Sequence, residues 1–222
     1  MKRTTWPFLV MLPASAFYWG CRGAPRVGPL TGLPATVALP RTPLPPGQRT
    51  IRFRWTFNDR LFGARGDGVA RLAPPDSVRL DFFPDGGLGG GYAIVLGDSI
   101  YTPTGDEARR YLPPASLLWA AFGTLRVVGA DTVLRVEGDT LRADIVSDSA
   151  SSASPTTFWR VAFRDRWLGR VERIADSRLV EVVERPDTAN VRYRNNAAGR
   201  SLGLTIHTIL TDVRFDPAIW QH

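Results

Sequence analysis

Alternation of apolar and polar side chains with a period of two recurs along most of the chain, and no other feature restricts the fold as strongly. Ile51, Phe53, Trp55 and Phe57 alternate with Arg52, Arg54 and Thr56, and Val78, Leu80 and Phe82 alternate with Arg79 and Asp81. The pattern returns at Tyr92, Ile94 and Leu96, at Leu141, Ala143 and Ile145, and at Trp159, Val161 and Phe163. It recurs at Val180 and Val182 around Glu181, and at Leu202, Leu204, Ile206 and Leu210. Successive side chains of a strand point to opposite faces, so each run predicts a strand with one dry and one wet face. Gly138-Asp139, Arg164-Asp165-Arg166 and Asp176-Ser177 supply tight turns between neighbouring runs. The expected body is mainly β: a single curled antiparallel sheet of about ten strands, an incomplete barrel, in up-and-down order. Glu172, Glu181 and Glu184, interspersed with arginines, are assigned to its solvated outer faces.

Helical signal is sparse. Pro113 and Pro114 open one segment, Leu117, Leu118, Trp119, Ala121 and Phe122 give it an apolar face, and Gly123 ends it. A weaker turn over 105–111 makes one or two short capping helices. A large sheet twists and curls, which makes its apolar face concave. A helix of roughly ten residues is about 15 Å long and covers only part of such a face. Either the sheet closes on a packed interior or an apolar hollow remains. Phe53, Trp55, Phe57, Leu80, Phe82, Tyr92, Trp119 and Trp159 would line the hollow and bind acyl chains such as palmitate. At about 0.8 kcal/mol per buried CH₂, a chain of roughly sixteen carbons gains about 12 kcal/mol gross. In the alternative, these residues fill a dry core.

The N-terminus reads as an address. Lys2 and Arg3 precede an apolar stretch from Trp6 to Phe17 that is too short and too proline-broken to span a membrane. Gly20-Cys21 has the form of a lipidation site, with residues 1–20 as signal peptide and Cys21 as the acylated first residue. Cleavage at Ala14-Ser15-Ala16, giving a soluble product, and an uncleaved anchor are the alternatives. Residues 22–47 contain seven prolines and four glycines, so 21–47 is expected to be a lipidated, semi-rigid tether leading to a body over 48–222. An arm docking Leu30, Leu33, Val37 and Leu39 on that body is the competing expectation.

Of the 28 basic residues only Lys2 is a lysine, so P-loop and Schiff-base chemistry are excluded. Loss of residues 1–20 leaves 26 basic against 21 acidic residues. The arginines are scattered singly, which does not make the basic stripe that nucleic acid requires. One cysteine excludes an internal disulfide and a cysteine-rich zinc site. The glycine run from Gly86 to Gly91 fails as a dinucleotide motif, because Tyr92 stands where the third glycine belongs when the spacing is counted from Gly87. His207 occupies an ordinary strand position, and no paired carboxylates or metal-ligand spacing occur. The chain is not expected to be an enzyme or to need a cofactor or metal.

The segment from Val78 to Tyr92, followed by a hairpin and the Leu117–Gly123 helix, resembles LolB-type lipoprotein receptors and, more loosely, the LolA/LolB carrier superfamily. The order of elements is similar over residues 48–215. The resemblance implies a curled, incompletely closed sheet capped by helices, with lipoprotein acyl chains held in the hollow. It also implies an apolar residue protruding from a loop between early strands. Leu88-Gly89 matches that Leu-Gly, although Pro84 lies four residues before Leu88 rather than directly before it. The combined expectation is a monomeric, lipid-anchored protein of the bacterial envelope, facing the periplasm from the outer membrane, that carries or receives acyl chains. A non-enzymatic interaction module and a lipid-sensing regulator are the alternatives.

Overall fold

The computed structural model describes residues 23–87, 89–127, 129, 131–146 and 157–221. The signal segment, Cys21 and Leu88 lie outside the described residues. The chain runs β1 (Leu33–Pro34), β2 (Arg49–Asn58), β3 (Gly63–Ala73), β4 (Ser77–Pro84), β5 (Gly91–Leu96), β6 (Ser99–Tyr101), α1 (Asp106–Arg109) and α2 (Ala115–Ala121). It continues through β7 (Asp131–Glu137), β8 (Thr140–Val146), β9 (Thr157–Arg164), β10 (Trp167–Ala175), β11 (Arg178–Glu184), β12 (Asn190–Asn195) and β13 (Arg200–Leu210), then a 3₁₀ turn at Pro217–Trp220.

All strands belong to one antiparallel sheet of order β1-β7-β8-β9-β10-β11-β12-β13-β2-β3-β4-β5-β6. This is an up-and-down meander whose two chain-terminal regions are sewn together where β13 pairs with β2. The sheet stays open because its edges, β6 and the β7–β1 pair, are not joined. The chain must pass from one edge to the other between β6 and β7, and residues 102–130 make that crossing. α2 lies on this crossing and packs against the concave face.

Asp165-Arg166 and Asp176-Ser177 take positive φ at both turn positions, the geometry that matches the twist of a two-residue hairpin. Gly68 pairs with Phe53 across β2–β3, and a Cβ at Gly68 would stand 2.3 Å from the Phe53 ring. The glycine makes room for the aromatic, and the same substitution erases the alternation that would have marked β3 in the sequence.

α2 divides the interior. Ala115, Leu118 and Trp119 pack with Phe53, Trp55, Phe57, Leu80 and Val95 on the β2–β6 side. Leu117, Ala120 and Ala121 pack with Ile145, Val161, Phe163, Val171 and Val183 on the β8–β12 side. Trp119 is fully buried and its indole N–H donates to the Gly97 carbonyl at 2.7 Å.

The proline-rich segment is docked over much of its length. The Pro25 carbonyl accepts from the Leu179 N–H, the Val27 N–H donates to the Ser177 carbonyl, and Arg160 donates to the Gly28 carbonyl. β1 then pairs with β7, and Leu39 and Leu44 turn inward onto the two halves of the core. Over these residues the segment is an arm wrapped around the β7 edge rather than a free stalk, because it satisfies its backbone groups on the sheet. Leu33 and Val37 remain exposed.

Two further expectations are corrected by register. Tyr92 lies on the outer face, opposite Asp81 and beneath the Arg79 guanidinium at 4.3 Å, while its neighbours Ala93 and Val95 face the core. Glu181 points inward, not outward. Val180 has no partner in the register of β10 with β11, and a one-residue bulge of this kind reverses the alternation beyond it. Leu179 and Val182 consequently pack outside, with Ile174 and Val27, and Glu181 and Val183 face inside.

Candidate functional site

Cross-strand register places one side chain from each of five strands in a single row near one end of the concave face. Trp159 is opposite Arg173, Arg173 opposite Glu181, Glu181 opposite Asn195, and Asn195 opposite Arg200. Directly inward, the next row is Val161, Val171, Val183, Tyr193 and Leu202. The sheet thus changes from polar to apolar within one pleat, and the Tyr193 hydroxyl reaches back across that boundary.

Glu181 organises the row. Its carboxylate is buried (3 % exposed) and accepts from the Tyr193 hydroxyl at 2.6 Å, the Asn195 amide at 2.9 Å and the Arg173 guanidinium at 2.6 Å. A buried carboxylate is tolerable when every lone pair is met in this way. Burial first, and then the hydrogen bond to Glu181 and its charge, push the Tyr193 hydroxyl well above the usual phenol range.

Over this row the crossing segment arches without touching all of it, and leaves a cleft of about 1020 Å³. Trp159, Arg173, Glu181, Tyr193, Asn195 and Arg200 form the sheet side. Arg109 to Ser116 and Leu125 to Val127 form the crossing side, with Asp98 and Ile100 at the β6 edge. The cleft has apolar wall at Ile100, Leu112, Pro113, Leu125, Val127 and Trp159, and arginine at Arg109, Arg110, Arg126, Arg173 and Arg200. The Arg110 and Arg200 guanidinium groups each lie 4.9 Å from the centre of the Tyr111 ring, a cation–π arrangement that concentrates positive charge beside an aromatic surface.

The residues expected to bind acyl chains are thus distributed over three places. Trp159 lines the cleft. Phe53, Trp55, Phe57, Leu80, Phe82 and Trp119 pack in the β2–β6 half of the interior, where Phe82 meets Phe53 and Trp55 edge to face. The void bounded by Phe53, Leu80, Phe82, α2 and Leu202 has a volume of only about 20 Å³, so α2 fills the hollow that the coverage argument expected between these side chains. Tyr92 is outside.

Sequence reasoning missed the tip beside the cleft. Leu61 in the β2–β3 turn is 92 % exposed, and Phe62 and Phe83 are each about half exposed. Phe62 lies 5.9 Å from Tyr111, and Arg200 pairs with Asp59 in the same turn. The Leu61 N–H donates to the Asp59 carboxylate at 2.7 Å and holds that carboxyl below its usual range. The turn is ordered, yet it presents two adjacent apolar side chains to water, and Leu61-Phe62 inside a polar turn was the signal available. Among the described residues no group of three His, Cys, Asp or Glu side chains could hold a metal ion, and His207 is exposed at a bulge of β13.

No protein-family model matches the chain, nor does any curated protein. Solved structures do resemble it. A LolA superfamily protein, NE2245, from Nitrosomonas europaea aligns with a TM-score of 0.50 at 9 % identity, over 83 % of this chain and 94 % of that one. A DUF1329 family protein from Desulfovibrio piger gives 0.49 at 9 % identity, over 79 % and 90 % of the two chains. An outer membrane lipoprotein-sorting protein domain from Vibrio parahaemolyticus gives 0.47 at 7 % identity, over 78 % and 89 %. At 9 % identity the likeness to NE2245 is one of fold alone, and this chain, with its open antiparallel sheet, has a LolA/LolB-type fold.

Proposed function

We propose that this chain is an exported, non-enzymatic carrier or receptor that holds an acyl chain or lipid in the cleft between the crossing segment and strands β9 to β13. The observation that carries the reading is the cleft itself: about 1020 Å³, with apolar wall on Trp159, Leu112 and Val127 and arginines beside it. Hydrocarbon placed on that wall gains about 0.8 kcal/mol per buried CH₂, and an anionic headgroup has Arg109, Arg110 and Arg200 within the same cavity. Cys21 is proposed to carry the anchor that keeps the protein at a periplasmic membrane surface.

Mass spectrometry of the chain purified from its host envelope, before and after organic extraction, tests both parts. Extraction should release lipid, the intact mass should show acyl groups on Cys21, and Trp159→Glu should abolish uptake of a fluorescent fatty acid. No extractable lipid together with no uptake by the unaltered chain defeats the reading.

Leu61 is proposed to touch the membrane or the partner's acyl chain during transfer, with Leu88, between β4 and β5 in sequence, as a second contact. Leu61→Glu should leave thermal stability within about 0.5 kcal/mol, as befits an exposed position, and slow acyl transfer to vesicles at least severalfold. A large stability loss would show that the turn supports the fold instead.

A second reading has an observation of its own. The interior around α2 is filled, and an exposed apolar tip at Leu61, Phe62 and Phe83 would also serve a protein-binding module. The lipid extraction separates the two.

A further inference from the structure

A second cavity, of about 250 Å³, lies at the other end of α2, where Ala121, Phe122 and Gly123 meet Leu44, Trp167 and the start of β2. Three charged side chains line it, Arg49, Arg166 and Arg185, and among the described lining residues none is acidic. The Nε atoms of Arg49 and Arg185 are both buried and have no hydrogen-bond partner, and no other buried side-chain polar atom of the described residues is left so. Both arginines line this cavity, and Arg185 also borders a neighbouring one beside Arg170 and Asp165.

The remaining contacts of these arginines do not neutralise them. Arg185 stacks on the Trp167 indole at 4.0 Å, lies against the backbone of Gly123, and reaches only the Leu168 carbonyl, at 3.5 Å. Arg49 donates to the Pro46 carbonyl at 3.4 Å. Long contacts to carbonyl dipoles are weak substitutes for a counter-ion, and a buried guanidinium without one is costly. Burial alone pulls the Arg185 guanidinium down to about 10. An oxyanion in the cavity would lie beside two guanidinium groups that have no carboxylate partner, and charge-assisted bonds to such groups are the strong ones.

We propose that this cavity is a binding site for an oxyanion on an apolar stem, a carboxylate or a phosphate monoester, held by Arg49 and Arg185. The stem would lie on Leu44, Ile51, Leu72 and Ile206, which supply the apolar walls. The volume admits an oxyanion and a few attached carbons, not a diacyl lipid. The site is separate from the cleft at the N-terminal end of α2, and it does not depend on that cleft holding lipid.

Calorimetric titration of the exported chain with sodium octanoate, octyl phosphate and octanol tests it. At least one of the two anions should bind about tenfold or more tightly than octanol, and the arm that binds identifies carboxylate or phosphate as the source. Arg49→Gln and Arg185→Gln should each lose about tenfold in that affinity, while Trp159→Ala in the cleft should not change it. Without ligand, Arg185→Gln should keep or raise the melting temperature, since it removes an unpaired buried charge. If either variant fails to fold, displacement of the bound anion from the unaltered chain by the matching small anion, acetate for octanoate or inorganic phosphate for octyl phosphate, takes its place as the test. Equal affinity for octanol and both anions overturns the proposal. So does loss of the anion in Trp159→Ala rather than in the arginine variants, or failure of the matching small anion to compete.

Discussion

Trp119→Ala should cost about 4 kcal/mol of folding stability, read as a lower urea midpoint with an unchanged denaturant slope. Trp119 has no exposed surface, packs from α2 onto the Phe53 side of the sheet, and gives its indole N–H to the Gly97 carbonyl. Its removal takes away a large apolar side chain, leaves a cavity that the sheet can only partly close, and deprives the part-buried Gly97 carbonyl of its donor. Arg126, whose guanidinium lies 4.7 Å from the ring centre, loses its platform as well. Domains of this kind have about 5–15 kcal/mol of stability in total, so the variant should be on the edge of unfolding at ordinary temperature. The size of the effect has functional content. If α2 were an undocked lid in solution, Trp119 would rest in water and its removal would cost less than about 1 kcal/mol. A loss near 4 kcal/mol means that the interior is filled by the protein's own helix, and that ligand must use the cleft at its end.

Much of this fold is legible in the sequence, because strands with one dry face advertise themselves. The β2, β4 and β9 alternations are kept in the structure, as are the hairpin turns at Asp165-Arg166 and Asp176-Ser177. The failures have local causes. β3 is hidden by Gly66 and Gly68, of which the second yields its space to the Phe53 ring. β11 is read out of phase because Val180 bulges, and a valine on each side of Glu181 gives no sign of which face is dry. Tyr92 is an apolar ring that an arginine covers on the outer face, a contact between strands that spacing within one strand does not contain. The overestimate of the hollow is one of topology. Helix length alone understates the cover, because the arm residues Leu39 and Leu44 turn inward and Tyr111, Leu112, Leu125 and Val127 of the crossing pack against the interior beside α2.

The cleft was illegible for a different reason. Trp159, Arg173, Glu181, Asn195 and Arg200 are separated in sequence and become a row only through the register of four strand pairings. Read singly, each arginine or glutamate is an ordinary outward-facing residue. The interior position of Glu181 turns three of them into a designed surface, with the acid as its hub.

That hub gives the second large effect. Glu181→Ala should destabilise the fold by about 3–5 kcal/mol, since it leaves the Arg173 charge and the Tyr193 hydroxyl facing a half-buried site without a partner. Glu181→Gln is the informative companion. The amide can still accept from Tyr193 or Asn195, so about 1–3 kcal/mol should be lost rather than the whole. It also frees the Arg173 guanidinium toward the cleft, where an anionic headgroup would gain a charge that Glu181 now cancels. Affinity for a fatty acid should therefore rise in Glu181→Gln while stability falls, and a merely structural carboxylate would lower both. Alkaline titration supplies an independent check. The folded Tyr193 hydroxyl titrates above its unfolded value, which is near 10. Above about pH 10 the unfolded chain releases this proton while the folded chain keeps it, so the stability present below that pH is progressively lost as pH rises. Part of the upward push comes from burial and part from the hydrogen bond to Glu181 and its charge. The loss should become shallower in Glu181→Gln without vanishing, and Tyr193→Phe should remove it. A slope unchanged in both variants would place the alkaline transition elsewhere in the sheet.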